Sequence, residues 1–191
     1  MNMLSIIFIG LIGFMSPATT GEGRWVVKSE SQIIIRGTTS IGGYSCSLDK
    51  VYSDVPLEYT TVNDALVFTP NRLALPVKEF ECNNFLIDND FQELLKAEEH
   101  KNIFVEILEL ENPRDENGTV AGKVKIMILN TEKIFTIPFQ ARHSDDKNFS
   151  LTGKVNLLFS DFKLMPPKRF GGMIKIDETI SVNFRLHMKK N

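Results

Sequence analysis

The stretch KVKIMILNTEKIFTIPF, residues 123–139, decides the fold. In its first half Val124, Ile126 and Ile128 share one face and Lys123 and Lys125 the other. In its second half Phe135, Ile137 and Phe139 alternate with more polar neighbours. A period of two is the signature of a strand with one face buried and one face wet. The same alternation extends back to Val120 and forward to Ala141. It returns in NFSLTGKVNLLF (Phe149, Leu151, Val155, Leu157) and in TISVNFRLHMKK (Ile180, Val182, Phe184, Leu186). Strands of a parallel sheet are apolar on both faces, so this repetition at short spacing predicts an all-β antiparallel barrel or sandwich.

The first half carries the same texture less cleanly. Trp25 and the run Ile33–Ile35 mark two short strands, and YSCSLDKV and PLEYTTV continue them. LVFTPNRLALPVKEF breaks at Pro70-Asn71 and reads as a hairpin. NIFVEILELE reads as a strand ending at the polar cluster NPRDENGT. Before it, DNDFQELLKAEEHKNI (Asp88–Ile103) reads as one short helix, with Phe91, Leu94 and Leu95 at i, i+3 and i+4 on one side.

The chain has 191 residues and a net charge of -2, a balance that does not call for a nucleic-acid partner. Residues 3–21, MLSIIFIGLIGFMSPATTG, hold an apolar run of about a dozen residues followed by small residues and Pro17. That is the shape of a secretory signal peptide, too short to span a bilayer comfortably. The organisation expected is a signal peptide over 1–21 and one domain over 22–191, exported to a periplasmic or extracellular space, with no stable membrane span. An oxidising compartment favours pairing of the two cysteines, Cys46 and Cys82, in a disulfide, with two buried thiols as the alternative.

Reaction chemistry is not written into the residues. His100, His143 and His187 stand in no metal-ligand spacing with another His or Cys, and each reads as a surface residue. No nucleophile elbow, phosphate loop or dinucleotide fingerprint occurs. Glu98 and Glu99 are adjacent on a helix, so they do not face each other as a catalytic pair would. No catalytic residue and no metal site is expected, and the protein is expected not to be an enzyme.

FECNNFLIDNDFQELLKAEEHKNIFVEI resembles the hallmark segment of the YceI-like family of exported lipocalin-like proteins. The match runs through Phe80, Asp90, Leu94, Leu95, Lys96, Ala97 and Ile103, with Asn102 where Pro is usual. GTTSIGGYSC looks like a variant of the family's first strands, with Tyr44 in place of Phe. VAGKVKIMILNTEKIFTIPF is similar to its central strand pair, with Asn130 replacing a Gly. LLFSDFKLMPPKRFGGMIKIDETISVNFRL looks like its closing segment. The pieces occur in the family's order across nearly all of the mature chain.

The resemblance implies an extended antiparallel lipocalin-like β-barrel, capped by the one short helix, whose elongated cavity holds an amphiphile, commonly a polyisoprenoid. Periodicity and resemblance together name a lining. The early strands give Ile33, Ile35, Val105 and Ile107. The middle strands give Val124, Ile126, Phe135, Ile137 and Phe139, and the last strands give Leu151, Val155, Val182 and Phe184. Phe91, Leu94 and Leu95 would then form a lid, unless the helix is plain packing. No cofactor is expected beyond a bound polyisoprenoid or quinone-like lipid, and the partner is that isoprenoid or lipid ligand, held by a monomer or homodimer. The competing expectation is a secreted, non-catalytic interaction or stress-response module with a solid barrel core.

Overall fold

The computed structural model describes residues 21–51, 53–112, 117–167 and 174–191. The leader expected over residues 1–21 lies outside the described residues except for Gly21. Among these residues twelve strands form one antiparallel sheet: β1 (Glu22–Val27), β2 (Gln32–Thr39), β3 (Gly42–Leu48), β4 (Val55–Val62), β5 (Ala65–Phe68), β6 (Leu73–Pro76), β7 (Glu81–Cys82), β8 (Asn102–Glu111), β9 (Asn117–Ile128), β10 (Thr131–His143), β11 (Asn148–Leu158) and β12 (Thr179–Lys190). One α-helix, α1 (Phe85–Leu94), follows β7. The architecture is the all-β, lipocalin-like barrel that the alternation and the resemblance imply, with one α-helix among the described residues.

Eight strands close a ring in the order β1-β4-β5-β8-β9-β10-β11-β12, with Trp25–Val27 of β1 paired to Met188–Lys190 of β12. Two strands of the ring outlast their neighbours. β12 pairs with β1 at its C-terminal end, but its earlier residues Ser181–Arg185 pair with β2. β8 pairs with β5 through Glu109–Glu111 and with β6 through Asn102–Val105. The barrel is therefore closed by hydrogen bonds at one end and split at the other. There β6 forms one edge and β2-β3-β7 the other. The chain crosses the split by the 3-10 turn Val77–Glu79, whose first amide donates to the Lys101 carbonyl at 2.9 Å.

Alternation packs the interior. Ile137, Phe139, Ala141 and Leu151 are fully or almost fully buried. The Phe139 ring lies flat across β9 and β11 because glycines oppose it: a Cβ at Gly153 would stand 2.6 Å from the ring, and one at Gly122 2.9 Å. Large ring and missing side chain are one packing unit.

Two local readings are corrected. The helix starts at Phe85, three residues before Asp88, and stops at Leu94. Asn84 caps it, its side-chain oxygen accepting the Leu86 amide at 2.8 Å. Lys96 then adopts φ 48°, and the amides of Lys96 and Ala97 donate to Glu93 and Gln92. That is a Schellman stop made without glycine, so nothing in the composition marks it. The segment broken at Pro70-Asn71 is not a hairpin: β5 and β6 pair with two different ends of β8. The hairpin lies earlier, between β4 and β5, where Asn63 (φ 47°) and Asp64 (φ 70°) make the left-handed turn.

Outside the barrel, Glu106 of β8 is buried and answered by two cations. Arg72 Nε donates to Oε1 at 2.8 Å and Lys125 Nζ lies 2.6 Å from Oε2. Burial pushes this carboxyl up, but the bonds and charge of Lys125 and Arg72 outweigh it and hold it below the usual glutamate value. A carboxylate depressed in the folded state stabilises above its unfolded value, and that contribution is lost as pH falls through the folded one. Glu106→Gln is expected to destabilise the protein by about 1–3 kcal/mol at neutral pH. Urea unfolding should show the gap between the two proteins shrinking below about pH 4; a gap independent of pH would mean that charge contributes nothing.

Candidate functional site

A cavity of about 350 Å³ opens at the split end of the barrel. Its walls come from both edges of the split and from the helix. β2 and β3 contribute Ile35, Thr39 and Tyr44, and the ends of β8 and β9 contribute Ile103 and Ile128. The turn after β11 supplies Phe159 and Phe162, Ile174 and Ile176 lead toward β12, and Ile180 lies at its start. The helix closes one side with Ile87, Phe91, Leu94 and the adjoining Leu95. A volume of a few hundred Å³ with a mostly apolar lining and few polar groups is the usual form of a small-ligand site.

The polar side chains on the wall are Thr39, Tyr44, Asn84 and Asp90. Tyr44 lies on Gly37 of the neighbouring strand: a Cβ there would come within 2.3 Å of the phenol ring. Burial pushes the Tyr44 phenol up, and the nearby Asp177 carboxylate adds to the shift. Asp177 is held by a hydrogen bond from the Thr38 hydroxyl and by its own amide on the Thr38 carbonyl. At neutral pH Tyr44 is thus an uncharged group able to donate one hydrogen bond. Around the mouth, Ile41, Leu86 and Leu158 line the cavity while exposing 76%, 50% and 40% of their surfaces. An apolar wall continuing onto an exposed apolar rim suits a ligand that enters tail first.

The helix is fastened mainly at its base. Cys46 of β3 and Cys82 of β7 form the disulfide, across a two-residue strand pairing. Asp88 of α1 accepts the Cys82 amide at 2.7 Å, and Asn83 exchanges hydrogen bonds with Ser45. Phe91 packs on Phe80 with ring centroids 5.2 Å apart, and Leu95 is buried. The three expected lid residues, Phe91, Leu94 and Leu95, all lie on the cavity wall.

The expected barrel lining is distributed differently. Ile35 alone of that set reaches the cavity. Val105, Ile107, Val124, Phe139 and Phe184 surround a second void of about 20 Å³, room for one water-sized group, deeper in the barrel. Ile33, Ile126, Ile137, Leu151 and Val182 are buried in packed core, and Phe135 and Val155 are half-buried against it. Alternation identified the inward face, but the open space lies where strands end and turns begin. Ile41, Ile174 and Ile176 were missed for that reason. Their signal was apolar residues flanking turns, outside any alternating run. His143, read as a surface residue, is half-buried with its ring edge-on to Phe149. Among the described residues no group of three or more His, Cys, Asp or Glu could hold a metal ion, and no helix is long and apolar enough to cross a membrane.

Neither a family model nor a curated protein matches the chain. Solved structures do. A polyisoprenoid-binding domain from Saccharophagus degradans, implicated in plant cell wall breakdown, superposes with a TM-score of 0.63 at 8% identity, over 88% of this chain and 99% of that one. BcnA of Burkholderia cenocepacia follows with a TM-score of 0.52 at 10% identity, over 84% of this chain and 98% of that one. The YceI protein of Campylobacter jejuni gives 0.51 at 14% identity, over 65% and 73%. The fold is the YceI-like barrel.

The disulfide secures the strap that leads into α1, joining cysteines 36 positions apart in sequence. Replacing both with Ser is expected to cost about 4 kcal/mol in the chain-entropy model. Hydrogen exchange should accelerate in β7 and α1 beyond what the global loss explains. Uniform acceleration across β9 and β10 as well would show that the bond anchors the whole barrel and not the helix in particular.

Proposed function

We propose that this is an exported, non-catalytic lipid-binding protein that holds the tail of a polyisoprenoid, or of a similar quinone-like amphiphile, in the cavity beneath α1. The observation that carries this reading is the cavity itself, apolar, open at one end and continuous with an exposed apolar rim. The fold shared with a polyisoprenoid-binding domain supports it. The disulfide and the sequence of the leader support export to a periplasmic or extracellular space, and mature residues 22–191 act as one domain.

The energetics are adequate. About 0.8 kcal/mol per buried methylene gives roughly 3 to 4 kcal/mol gross for one isoprene unit. Ordering the tail takes part of that back. At about 30 Å³ per water-sized group the cavity accepts on the order of a dozen such groups. The bound part is therefore the end of a tail, with the head at or beyond the rim. There Tyr44 is the natural donor to a hydroxyl or carbonyl oxygen.

A second reading has its own observation. The middle of the barrel is filled by side chains, as in a solid interaction or stress-response module that binds no lipid. Extraction of the purified exported protein with organic solvent, followed by mass spectrometry, separates the two: a stoichiometric prenyl lipid supports the carrier, and its absence, with no uptake of added prenyl probe, supports the module. The lid has a separate test. Leu94→Ala is expected to release a fluorescent prenyl probe several-fold faster while costing less than the ~2–5 kcal/mol of a fully buried leucine. Early melting with wild-type release would make α1 ordinary scaffold.

A further inference from the structure

Along two ring strands, inward positions pass from the large cavity through one packed residue to the deeper void. On β9 the order is Ile128 (cavity), Ile126 (packed), Val124 (void). On β12 it is Ile180 (cavity), Val182 (packed), Phe184 (void). Ile126 and Val182 are 3% and 6% exposed and line neither space. Successive inward residues on a strand are about 7 Å apart, so on these two strands one side chain separates the spaces, while on β8 Ile103 of the cavity is followed directly by Val105 of the void.

We propose that Ile126 and Val182 form the floor of the cavity and set the length of tail it accepts. The proposal rests on the carrier reading for its ligand, not for its geometry. The barrel contains one discontinuous apolar channel, and the floor is its interruption. A tail entering at the mouth stops against this layer, and further isoprene units remain outside, in contact with the rim. Removing atoms from the floor joins the spaces and lets the tail advance toward Phe184 and Val124. Nothing polar need be desolvated there, because the deeper void is lined by Val27, Leu57, Val105 and other apolar groups, with Asn71 at its edge turned to the Pro56 carbonyl at 2.6 Å.

The test is a chain-length profile with geraniol, farnesol and geranylgeraniol, which differ by one isoprene unit each. For the wild type, affinity should rise from geraniol to farnesol and gain little at geranylgeraniol. Ile126→Ala should bind geranylgeraniol roughly tenfold more tightly relative to farnesol, about the effect of burying two more methylenes. Val182→Ala, a milder truncation on β12, should shift the profile the same way, so the test survives if Ile126→Ala fails to fold. A folded variant with an unchanged profile overturns the proposal. If the wild type binds none of the alcohols, the carrier reading falls, and xenon decides the floor independently, since apolar cavities stay dry and take it up. Xenon in crystals should stop above position 126 in the wild type and extend past it in the Ile126→Ala or Val182→Ala protein. Identical xenon sites in both overturn it.

Discussion

The structure depends on a mismatch of strand lengths. β8 and β12 run for 10 and 12 residues, while β5 and β1, which close the ring beside them, have 4 and 6. A short partner leaves half of a long strand's edge unpaired, and unpaired edges are costly when buried and hazardous when exposed. β6 and β2 cover those remaining edges from opposite edges of the split and do not pair with each other. The split is the direct consequence, and everything suited to binding follows from it: a mouth, apolar walls without a strand between them, and a place for one helix.

The helix answers the split without sealing it. It has no fully buried residue of its own, and its apolar side meets the barrel through the half-buried Phe91 and Leu94 and through Leu95 just past its end. Its base is fastened where Cys46 and Cys82 join a pairing two residues long and where Asp88 accepts the Cys82 amide.

Much of the barrel was legible in the sequence because alternation is a local signal. The ring strands β9 to β12 could be read from Val124, Ile126, Phe135, Ile137, Leu151 and Val182 without any knowledge of their partners. Pairing was not legible to the same degree: the assignment of β5 and β6 to two ends of β8 depends on a turn at Asn63-Asp64, two residues that look like any polar loop. The cavity was the least legible part. The alternating residues fill the barrel because nothing but packing acts on them there. The space opens among Ile41, Phe162 and Ile174, which the chain brings together only after the strands have ended. The helix was recognised by its i, i+3, i+4 pattern, but its ends were set by Asn84 and by Lys96, and a left-handed lysine leaves no mark in composition.

The position of the open space has an energetic logic. An apolar cavity forfeits dispersion contacts on every unfilled side, and the loss is felt most where the surroundings are rigid and cannot relax. In the middle of this barrel every wall is a hydrogen-bonded strand, and there the interior is closed to a void the size of one water. At the split end the walls are turns, a short strap and a helix with no fully buried residue of its own. Placing the cavity there confines the energetic penalty of emptiness to the segment least coupled to the ring. The closed end, by contrast, packs the Trp25 ring among Tyr59, Phe68 and Phe149.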